Sequence, residues 1–492
     1  MKHLFKIVVY CLLPAALAGC TVNPATGKQS FTAFMSQADE MKVGQEEHPK
    51  IIKAFGGAYS DQELSAYVRR VGLSLVAVSE VQGLPYTFTV LNDDKVNAFA
   101  LPGGFVYITR GLLALAENEA EMAGVLAHEI GHVAARHTAQ RFSKAQAANI
   151  GMTVISILGG ASAPGASDLL SMAAQVALQG YSREQEMEAD MLSVRYLIRA
   201  GYSPAAATDF LHKLQAHTKL TAALSGNPEL ADSAGGLMST HPQTSERLAQ
   251  AAELVRTAPR NNYRLESRAF LEHIDGMMFG DDPKQGIRRG REFSHPELGI
   301  SFRVPPGFIM FNSAEKILAR GRDGAMIVFD MEGARTAGNV HNLPAYLQDG
   351  WGEGLSLKEV ETLKINGMEA ATGHGRISVR NGSLKDVRLL AVRENRDRIY
   401  RFLFVTPPAF TDRYATEFQR ATYSFRRLSP SESAAIKPLR LRLATVGRQD
   451  TAADMAARMP FEQGGLEWFE ILNGLSHGQP LIPGETVKII AD

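Results

Sequence analysis

Two histidines and a glutamate have the spacing of a hydrolytic metal site. His128 and His132 are four residues apart, and Glu129 follows the first of them. On a helix, residues at i and i+4 lie on one face, so both imidazoles can reach one tetrahedral Zn²⁺ at about 2.0–2.1 Å. Glu129 projects roughly 100° around the helix, toward the open coordination position. Its carboxylate could accept a proton there from metal-bound water, so the pattern predicts hydrolysis by metal-activated water with Glu129 as general base.

The flanking residues predict the helix that this geometry needs. Asn118 is a suitable N-cap, and Glu121 stands three residues after it. Glu119 and Glu121 place negative charge at the positive end of the helix dipole, which stabilises the first turn. Apolar residues give the helix one side to bury, at Met122, Val125, Leu126 and Val133.

A second predicted helix supplies carboxylates for the same site. Ser182 and Gln185 form a capping box at its start, and Gly201 ends it. Glu186 and Asp190 are four residues apart on this helix. One of the two carboxylates can bind the metal while the other accepts the N–H of a ligating histidine. Two histidines, one carboxylate and water make a catalytic set, because a structural site would close the fourth position with Cys or His.

Three other polar residues near these motifs are expected to lie away from the metal. Glu184 and Glu188 form a competing acidic pair, but they should face elsewhere on the second helix. His137 lies five residues beyond His132, and we expect it on a solvated helix surface rather than among the ligands.

Together the two motifs resemble the HtpX-like and CAAX prenyl protease family of zinc endopeptidases, whose signature is HExxH followed by ExxxD on a later helix. Residues 97–104 and residues 239–242 with Arg247 also match the family. The resemblance covers residues from about 30 to 255, and no residue departs from the motif. It implies one Zn²⁺ per chain, held by His128, His132 and Glu186. It also implies Glu129 as general base and Asp190 as a support for a ligand.

Residues 97–100 predict a strand that could hold a substrate. Alternation at residues 86–90 and β-branched residues at 104–109 predict two further strands, and a Pro-Gly-Gly turn follows Asn97, Ala98 and Phe99. As an edge strand, this segment could bind an extended peptide by backbone hydrogen bonds and place the scissile carbonyl over the zinc. The alternative is an ordinary internal strand.

Two further features are candidates for control of the site. His241 precedes a proline, which favours a loop or a helix entrance. It could stabilise the tetrahedral intermediate with help from Arg247, or bind the zinc and block it, or simply bond locally at a helix start. Residues 145–167 are uncharged and contain several glycines. They predict a buried or flexible helical hairpin rather than a membrane span, and such a hairpin could act as a mobile lid over the cleft.

The N-terminus predicts export and lipid anchoring. Lysines precede an apolar run that is too short to span a bilayer and that ends in Leu-Ala-Gly-Cys. This segment resembles a secretory signal with a bacterial lipobox, which implies a signal peptide at 1–19 and lipidation of Cys20. Thr21 instead of Asp resembles the outer-membrane sorting pattern. We therefore expect the periplasmic side of the outer membrane of a Gram-negative bacterium.

Composition and pattern predict an α+β protein of several domains. Lys plus Arg equals Asp plus Glu at 52 each, which argues against nucleic-acid binding by counterion release. A mainly helical metalloprotease domain of the gluzincin type with a small sheet should occupy residues 20–265. Residues 290–428 predict an antiparallel sheet with helices at 343–351 and 409–422 covering one face, and this outline loosely resembles PsbP-like domains.

Residues 437–492 predict a small third domain. The order strand, helix, helix, strand resembles a LysM domain, which implies binding to the glycan of peptidoglycan. The alternative is a degenerate module that packs on its neighbour.

Three classes of function remain open. The first is a zinc endopeptidase that cleaves unfolded or misassembled envelope polypeptides. The second is a chaperone-like assembly factor for outer-membrane proteins with a mostly closed site, since the family's periplasmic lipoprotein branch combines both roles. The third is a peptidoglycan-associated hydrolase, which only the LysM-like segment favours.

Overall fold

The computed structural model describes residues 20–146, 180–225, 237–242, 245–313, 315–379 and 382–492. Contacts divide the chain into two compact units. The first unit combines Met1–Leu224, Pro228–Phe279 and Arg440–Ala491. The second is formed mainly by Gly280–Leu439. The described residues mix helices and sheets, as the α+β expectation requires.

The described part of the first unit is mainly helical. Before residue 280, its helices are α1 (Gln37–Ala54), α2 (Gln62–Val76), α3 (Arg110–Leu115), α4 (Glu119–Ala134), α5 (Arg183–Ala200), α6 (Ala205–Ser225), α7 (Leu237–Thr240), α8 (Ser245–Arg256) and α9 (Ser267–Ile274). Its strands in the same part of the sequence are β1 (Cys20–Val22), β2 (Gln29–Phe31), β3 (Thr87–Leu91), β4 (Ala98–Leu101), β5 (Phe105–Thr109) and β6 (Met278–Phe279).

A three-stranded sheet packs on the helix that carries the HExxH pattern. The strand order is β3-β5-β4, with β3 parallel and β4 antiparallel to β5. The strands lie within a residue or so of the predicted segments. β4 is an edge strand of this sheet, and all four of its residues are buried. It contacts α4, so an edge strand of the described sheet lies beside the metal-binding motif.

Capping fixes where the two motif helices begin. The Asn118 side chain accepts a hydrogen bond from the Glu121 N–H at 2.9 Å, as predicted for α4. Ser182 and Gln185 form the predicted capping box of α5, and Gly201 ends that helix with φ of 80°. A Cβ atom at Gly131 would meet Ala189 O at 3.3 Å. The missing side chain therefore lets α5 approach α4 closely at the level of both motifs.

Residues 440–491 form part of the first unit. They contain α14 (Ala452–Ala456), α15 (Gly465–Leu472) and the antiparallel pair β18 (Leu439–Thr445) and β19 (Thr486–Ala491). This is the predicted order of strand, helix, helix and strand. β18 also pairs with β6, and the buried Lys488 ammonium donates to the Ala114 and Ala116 carbonyls at 2.8 and 2.6 Å. The segment is thus bonded to the end of α3.

The second unit is built on antiparallel sheets. Its strands are β7 (Ile287–Arg289), β8 (Glu292–His295), β9 (Ile300–Arg303), β10 (Ile309–Asn312), β11 (Lys316–Arg320), β12 (Met326–Met331), β13 (Lys358–Ile365), β14 (Met368–Ser378), β15 (Leu384–Asn395), β16 (Arg398–Thr406) and β17 (Arg426–Arg427). A four-stranded sheet has the order β17-β9-β8-β7, and a seven-stranded sheet has the order β10-β11-β12-β16-β15-β14-β13. The helices are α10 (Ala334–Asn339), α11 (Leu343–Ala345), α12 (Thr411–Ser424) and α13 (Pro430–Ala435), and a π-helical turn covers Tyr346–Trp351.

The helical segments of this unit lie on both faces of the large sheet, so the expectation of one covered face is wrong. Leu390 and Val392 of β15 belong to a phenylalanine-rich core that includes Phe418 of α12. Leu389 and Ala391 of the same strand belong to a separate core with residues 343–347. Neighbouring strand residues point to opposite faces, and both sets are apolar, so both faces need a cover.

No helix among the described residues combines the length and the apolar character needed to cross a bilayer.

Candidate metal centre

Four side chains from three elements converge beside α4. His128 and His132 come from α4, Glu186 comes from the first turn of α5, and His241 directly follows α7. One potential ligand atom from each lies within 4.8 Å of those of the others. Glu186, His132 and His241 are buried, whereas the His128 side chain keeps 12% of its surface exposed. The i, i+4 spacing on α4 thus brings both imidazoles to one point, as expected.

The distances within this cluster fit a tetrahedral zinc site. Ligand bonds of about 2.0–2.1 Å place neighbouring ligand atoms about 3.3 Å apart. The two Nε2 atoms of His128 and His132 are 3.0 Å apart, and each lies 3.5 Å from a Glu186 carboxylate oxygen. His241 Nδ1 lies 3.3 Å from His128 Nε2 and 2.9 Å from Glu186 Oε1. The donor set therefore fits Zn²⁺, with His241 close enough to be a fourth ligand.

Asp190 and Arg247 hold two of these candidate ligands, His128 and Glu186, in position. Asp190 Oδ1 lies 3.0 Å from His128 Nδ1, so it can accept that N–H while Nε2 faces the ligand cluster. The buried Arg247 guanidinium donates to both Asp190 oxygens at 2.7 and 2.8 Å and lies 2.7 Å from Glu186 Oε2. It also donates to the Pro242 carbonyl at 2.9 Å. Arg247 therefore links both acids of α5 to the segment that carries His241.

Glu129 is buried without the partners that a buried carboxylate normally has. Its side chain is fully buried, and neither carboxylate oxygen has a hydrogen-bond partner among the described residues. The Nε2 atom of His241 lies 3.4 Å from Glu129 Oε1. Burial raises the pKa of Glu129, because the loss of water outweighs the opposing effect of His241, His128 and Arg247. A buried carboxylate without hydrogen bonds is costly, and this one faces His241 of the ligand cluster.

The surrounding charges also shift the pKa values of two candidate ligands, His128 and Glu186. Burial opposes protonation of His128, but the hydrogen bonds to Asp190 and Glu186 outweigh it and raise its pKa to about 10. Burial works to raise the pKa of Glu186, yet His241 and His128 hold it well below its usual range. A metal that binds His128 must therefore displace a proton, so metal affinity should fall as the pH decreases.

His137 is buried beside the ligand His132, so the expectation of a solvated position is wrong. Only 1% of its surface is exposed, and its Nδ1 lies 2.8 Å from His132 Nδ1. Helix α4 ends at Ala134, and Arg136 then adopts a left-handed backbone with φ of 55°. This residue turns the chain so that His137 comes back under His132. Arg136 is held by Glu40, whose Oε1 accepts from its Nε at 2.8 Å.

An apolar cavity adjoins the ligand cluster. His128, Glu129 and His241 form part of its wall. The remainder of the lining is largely apolar and includes Val125, Phe210, Leu214, Leu237 and Ala251. A large apolar side chain would lose water contact there at little polar cost.

Other predicted site residues lie in different places. Asn97, Ala98 and Phe99 lie at or beside the edge strand β4, and all three are buried. Cys20 begins β1. The signal segment 1–19 and most of the predicted hairpin at 145–167 lie outside the described residues.

A protein-family comparison bears on the class of this domain. Residues 62–255, which contain both motifs, match the model of Peptidase family M48. This match supports a metalloendopeptidase of the HExxH type, in agreement with the resemblance drawn from the sequence.

Curated relatives of the M48 domain include bacterial and mitochondrial proteases. The chain is 30% identical over 267 residues to the beta-barrel assembly-enhancing protease of Escherichia coli K12, covering 51% of this chain and 52% of the relative. It is 32% identical over 230 residues to the protease of the same name from Yersinia pestis, covering 45% of each. A mitochondrial metalloendopeptidase of Schizosaccharomyces pombe is 28% identical over 218 residues, covering 44% of this chain and 60% of the relative. The chain thus spans about half the length of the first two.

Among solved structures, the chain resembles cyanobacterial PsbP from Synechocystis sp. PCC 6803 with a TM-score of 0.22 and 17% identity. That match covers 29% of this chain and 98% of the other. LpqN of Mycobacterium tuberculosis matches with a TM-score of 0.19 and 15% identity, over 26% of this chain and 83% of the other. Similarity at these TM-scores supports no conclusion about function.

Proposed function

We propose that this protein is a zinc-dependent endopeptidase of the bacterial cell envelope that cleaves unfolded or misassembled polypeptides. The observation that carries the proposal is the buried Glu129 carboxylate, which has no hydrogen-bond partner in the described part of the chain and faces His241 beside a convergent ligand set. Structural metal sites have no need of an unpaired acid. A base for peptide hydrolysis does need one, because a carboxylate already bonded to donors would accept a proton poorly.

His128, His132 and Glu186 would hold the ion, and Asp190 and Arg247 would hold the ligands in place. When bound, Zn²⁺ supplies Lewis-acid polarisation of the scissile carbonyl and lowers the pKa of water. Glu129 accepts a proton from the attacking water and delivers it to the leaving amide nitrogen. Its burial raises its pKa, which makes it a better proton acceptor at neutral pH.

The substrate would bind as an extended strand along β4. The free edge of β4 offers backbone donors and acceptors beside α4, and a peptide added there satisfies them. The adjoining apolar cavity would accept one large apolar side chain of that peptide. Unfolded polypeptides expose such side chains together with unpaired backbone, whereas folded proteins bury both, and this difference would select the substrate.

His241 would control access to the ion. With Nδ1 at ligand distance from both His128 and Glu186, His241 occupies the position that a catalytic site leaves to water. Turned away, it could donate from Nε2 to the developing oxyanion. Arg247 would act by holding the His241 segment rather than by touching substrate, since its guanidinium is bound to Asp190 and Glu186.

The same closed arrangement favours a second candidate function. With His241 as fourth ligand the site would be shut, and the protein would then act as a chaperone-like assembly factor for outer-membrane proteins. The names of the relatives combine assembly with proteolysis. We also propose export, lipid attachment at Cys20 and a periplasmic location at the outer membrane. Peptidoglycan binding through residues 437–492 remains a prediction.

Metal analysis and casein digestion of wild type and Glu129→Gln test the proposed function. Wild type should contain one zinc per chain and digest casein. The variant should keep its zinc and lose digestion by about 10²–10⁴-fold, because only proton transfer is removed. A variant that digests casein normally would contradict the role of Glu129. Loss of digestion with retained envelope integrity in cells would favour the assembly factor.

His241→Ala tests the control of the site. If His241 blocks the ion, the variant should digest casein faster and bind zinc more weakly. If it stabilises the oxyanion, digestion should fall by about 10²–10³-fold with zinc binding unchanged. Unchanged kinetics and unchanged affinity would eliminate both roles.

A further inference from the structure

Glu188 projects from α5 toward the turn that joins β1 and β2, just beyond Cys20. Thr26 Oγ1 and Asn23 Nδ2 donate to its Oε1 at 2.7 and 2.9 Å. Lys28 Nζ lies 3.2 Å from its Oε2. The Glu188 side chain is only 10% exposed. A largely buried carboxylate on α5 is thus held by three donors from residues 23–28.

His137 lies between this carboxylate and the candidate ligand His132. Its Nδ1 is 2.8 Å from His132 Nδ1, and its Nε2 is 4.0 Å from Glu188 Oε2. The His137 Nε2 atom has no hydrogen-bond partner among the described residues. A distance of 4.0 Å is longer than a hydrogen bond, but attraction across it is weakly screened because both groups are largely buried.

Glu188 determines which ring nitrogens of His137 and His132 carry protons. A carboxylate only accepts, so the neutral His137 ring is most stable with its proton on Nε2, facing Glu188. Its Nδ1 must then accept, which requires His132 to carry its proton on Nδ1. The lone pair of His132 consequently lies on Nε2, the atom that faces His128 and Glu186. This is the tautomer that binds a metal through Nε2.

We propose that Glu188 and His137 are positioning residues that fix the metal-binding tautomer of His132, and that residues 23–28 hold this relay in place from just beyond Cys20. The inference rests on the proposed function, because it requires a zinc ion at His132. It adds a coupling: a displacement of the β1–β2 turn would remove the donors of Glu188 and so weaken the metal site. Residues 23–28, which follow the proposed lipidation site Cys20, would then influence whether the site holds its ion.

Zinc competition with a chromophoric chelator, on the full-length protein, tests the relay. His137→Ala and Glu188→Ala should each weaken zinc binding by about 10–100-fold. His137→Asn should recover part of the loss, because its Oδ1 can replace Nδ1 as the acceptor for His132. Thr26→Val removes one donor to Glu188 and should cause a smaller loss. Glu184→Ala, which removes an exposed carboxylate one turn away on α5, is the matched control and should bind zinc as wild type does.

Denaturant unfolding of the metal-free variants separates positioning from packing. The proposal predicts that the loss of zinc-binding free energy in His137→Ala and Glu188→Ala exceeds any loss in the free energy of unfolding of the metal-free protein. His137→Asn should recover part of the zinc affinity. Should His137→Ala fail to fold, His137→Asn and Glu188→Ala carry the test. If Glu188→Ala bound zinc as tightly as wild type, or if its loss of zinc affinity were fully explained by lower metal-free stability, the relay would be overturned and the proposed function would stand. A wild-type protein that binds no zinc would overturn the proposed function as well.

Discussion

The two ends of helix α4 each contain a cluster of buried charged side chains, and they differ in how completely those charges are paired. At the N-terminal end, the Lys213 ammonium contacts both Glu121 oxygens at 2.9 and 2.8 Å and Glu117 at 3.1 Å. The Glu117 N–H also donates to Glu121. At the other end, Glu129 is just as deeply buried, but neither of its oxygens has a hydrogen-bond partner among the described residues.

This difference separates a structural cluster from a functional one. Both Glu121 oxygens at the start of α4 have donors, from the Lys213 ammonium and the Glu117 N–H, so this carboxylate fixes the helix without leaving a free acceptor. The Glu129 carboxylate is left unsatisfied at a cost in stability, and such costs are retained where chemistry requires them. Burial alone therefore does not identify the site, because Glu121 and Glu129 are both buried. The absence of a hydrogen bond to Glu129 among the described residues distinguishes the two.

Lys213→Met should have the largest effect on stability among substitutions at the structural end. It leaves the buried Glu121 without its cation, and breaking such a buried pair costs about 3–5 kcal/mol. Denaturant unfolding of the metal-free protein measures this loss. Casein digestion per folded molecule should be preserved. A variant as stable as wild type would mean that this cluster does not fix α4.

Lys488→Met should have a smaller effect, and one that depends on pH. The substitution leaves the Ala114 and Ala116 carbonyls unpaired at the end of α3, which costs about 1–3 kcal/mol. Burial lowers the pKa of Lys488 to about 7, below the value of about 10.4 in an unfolded chain. Between these values the unfolded state binds more protons, so the stability of wild type increases with pH.

The stability difference between wild type and Lys488→Met should therefore shift in favour of wild type between pH 7 and pH 9, by up to about 1.4 kcal/mol per pH unit. Urea unfolding of both proteins at the two pH values measures it. A difference that does not change with pH would indicate that the Ala114 and Ala116 carbonyls hold the Lys488 ammonium charged in the folded state.

The sequence predicted the parts of the site that depend on local spacing. The cap at Asn118, the capping box at Ser182 and the convergence of His128 with His132 follow from helical periodicity and short-range hydrogen bonds. The edge position of β4 followed from its place before a Pro-Gly-Gly turn. These features involve residues within a few positions of each other, so local rules suffice.

The parts that the sequence did not predict depend on a backbone exception or on distant contacts. His137 was misplaced because a non-glycine residue, Arg136, adopts a left-handed conformation that Glu40 stabilises from nearly a hundred residues away. The spacing of His137 after HExxH was the available signal, but it does not reveal that α4 ends before it. Lys488 lies in a predicted strand, and no local pattern indicates that its ammonium binds the end of α3.

One matched pair on α4 tests the central claim most directly. Glu129→Gln and Glu121→Gln make the same chemical change two turns apart, and casein digestion is measured together with metal-free unfolding. We predict that Glu129→Gln loses digestion by about 10²–10⁴-fold, because it removes the proton acceptor. Its stability should be equal or higher, because the substitution removes a buried carboxylate that has no hydrogen-bond partner among the described residues. Glu121→Gln should lose about 1.5–3 kcal/mol of stability and keep its digestion per folded molecule. The opposite pattern, with digestion retained in Glu129→Gln or lost in a fully stable Glu121→Gln, would contradict the account.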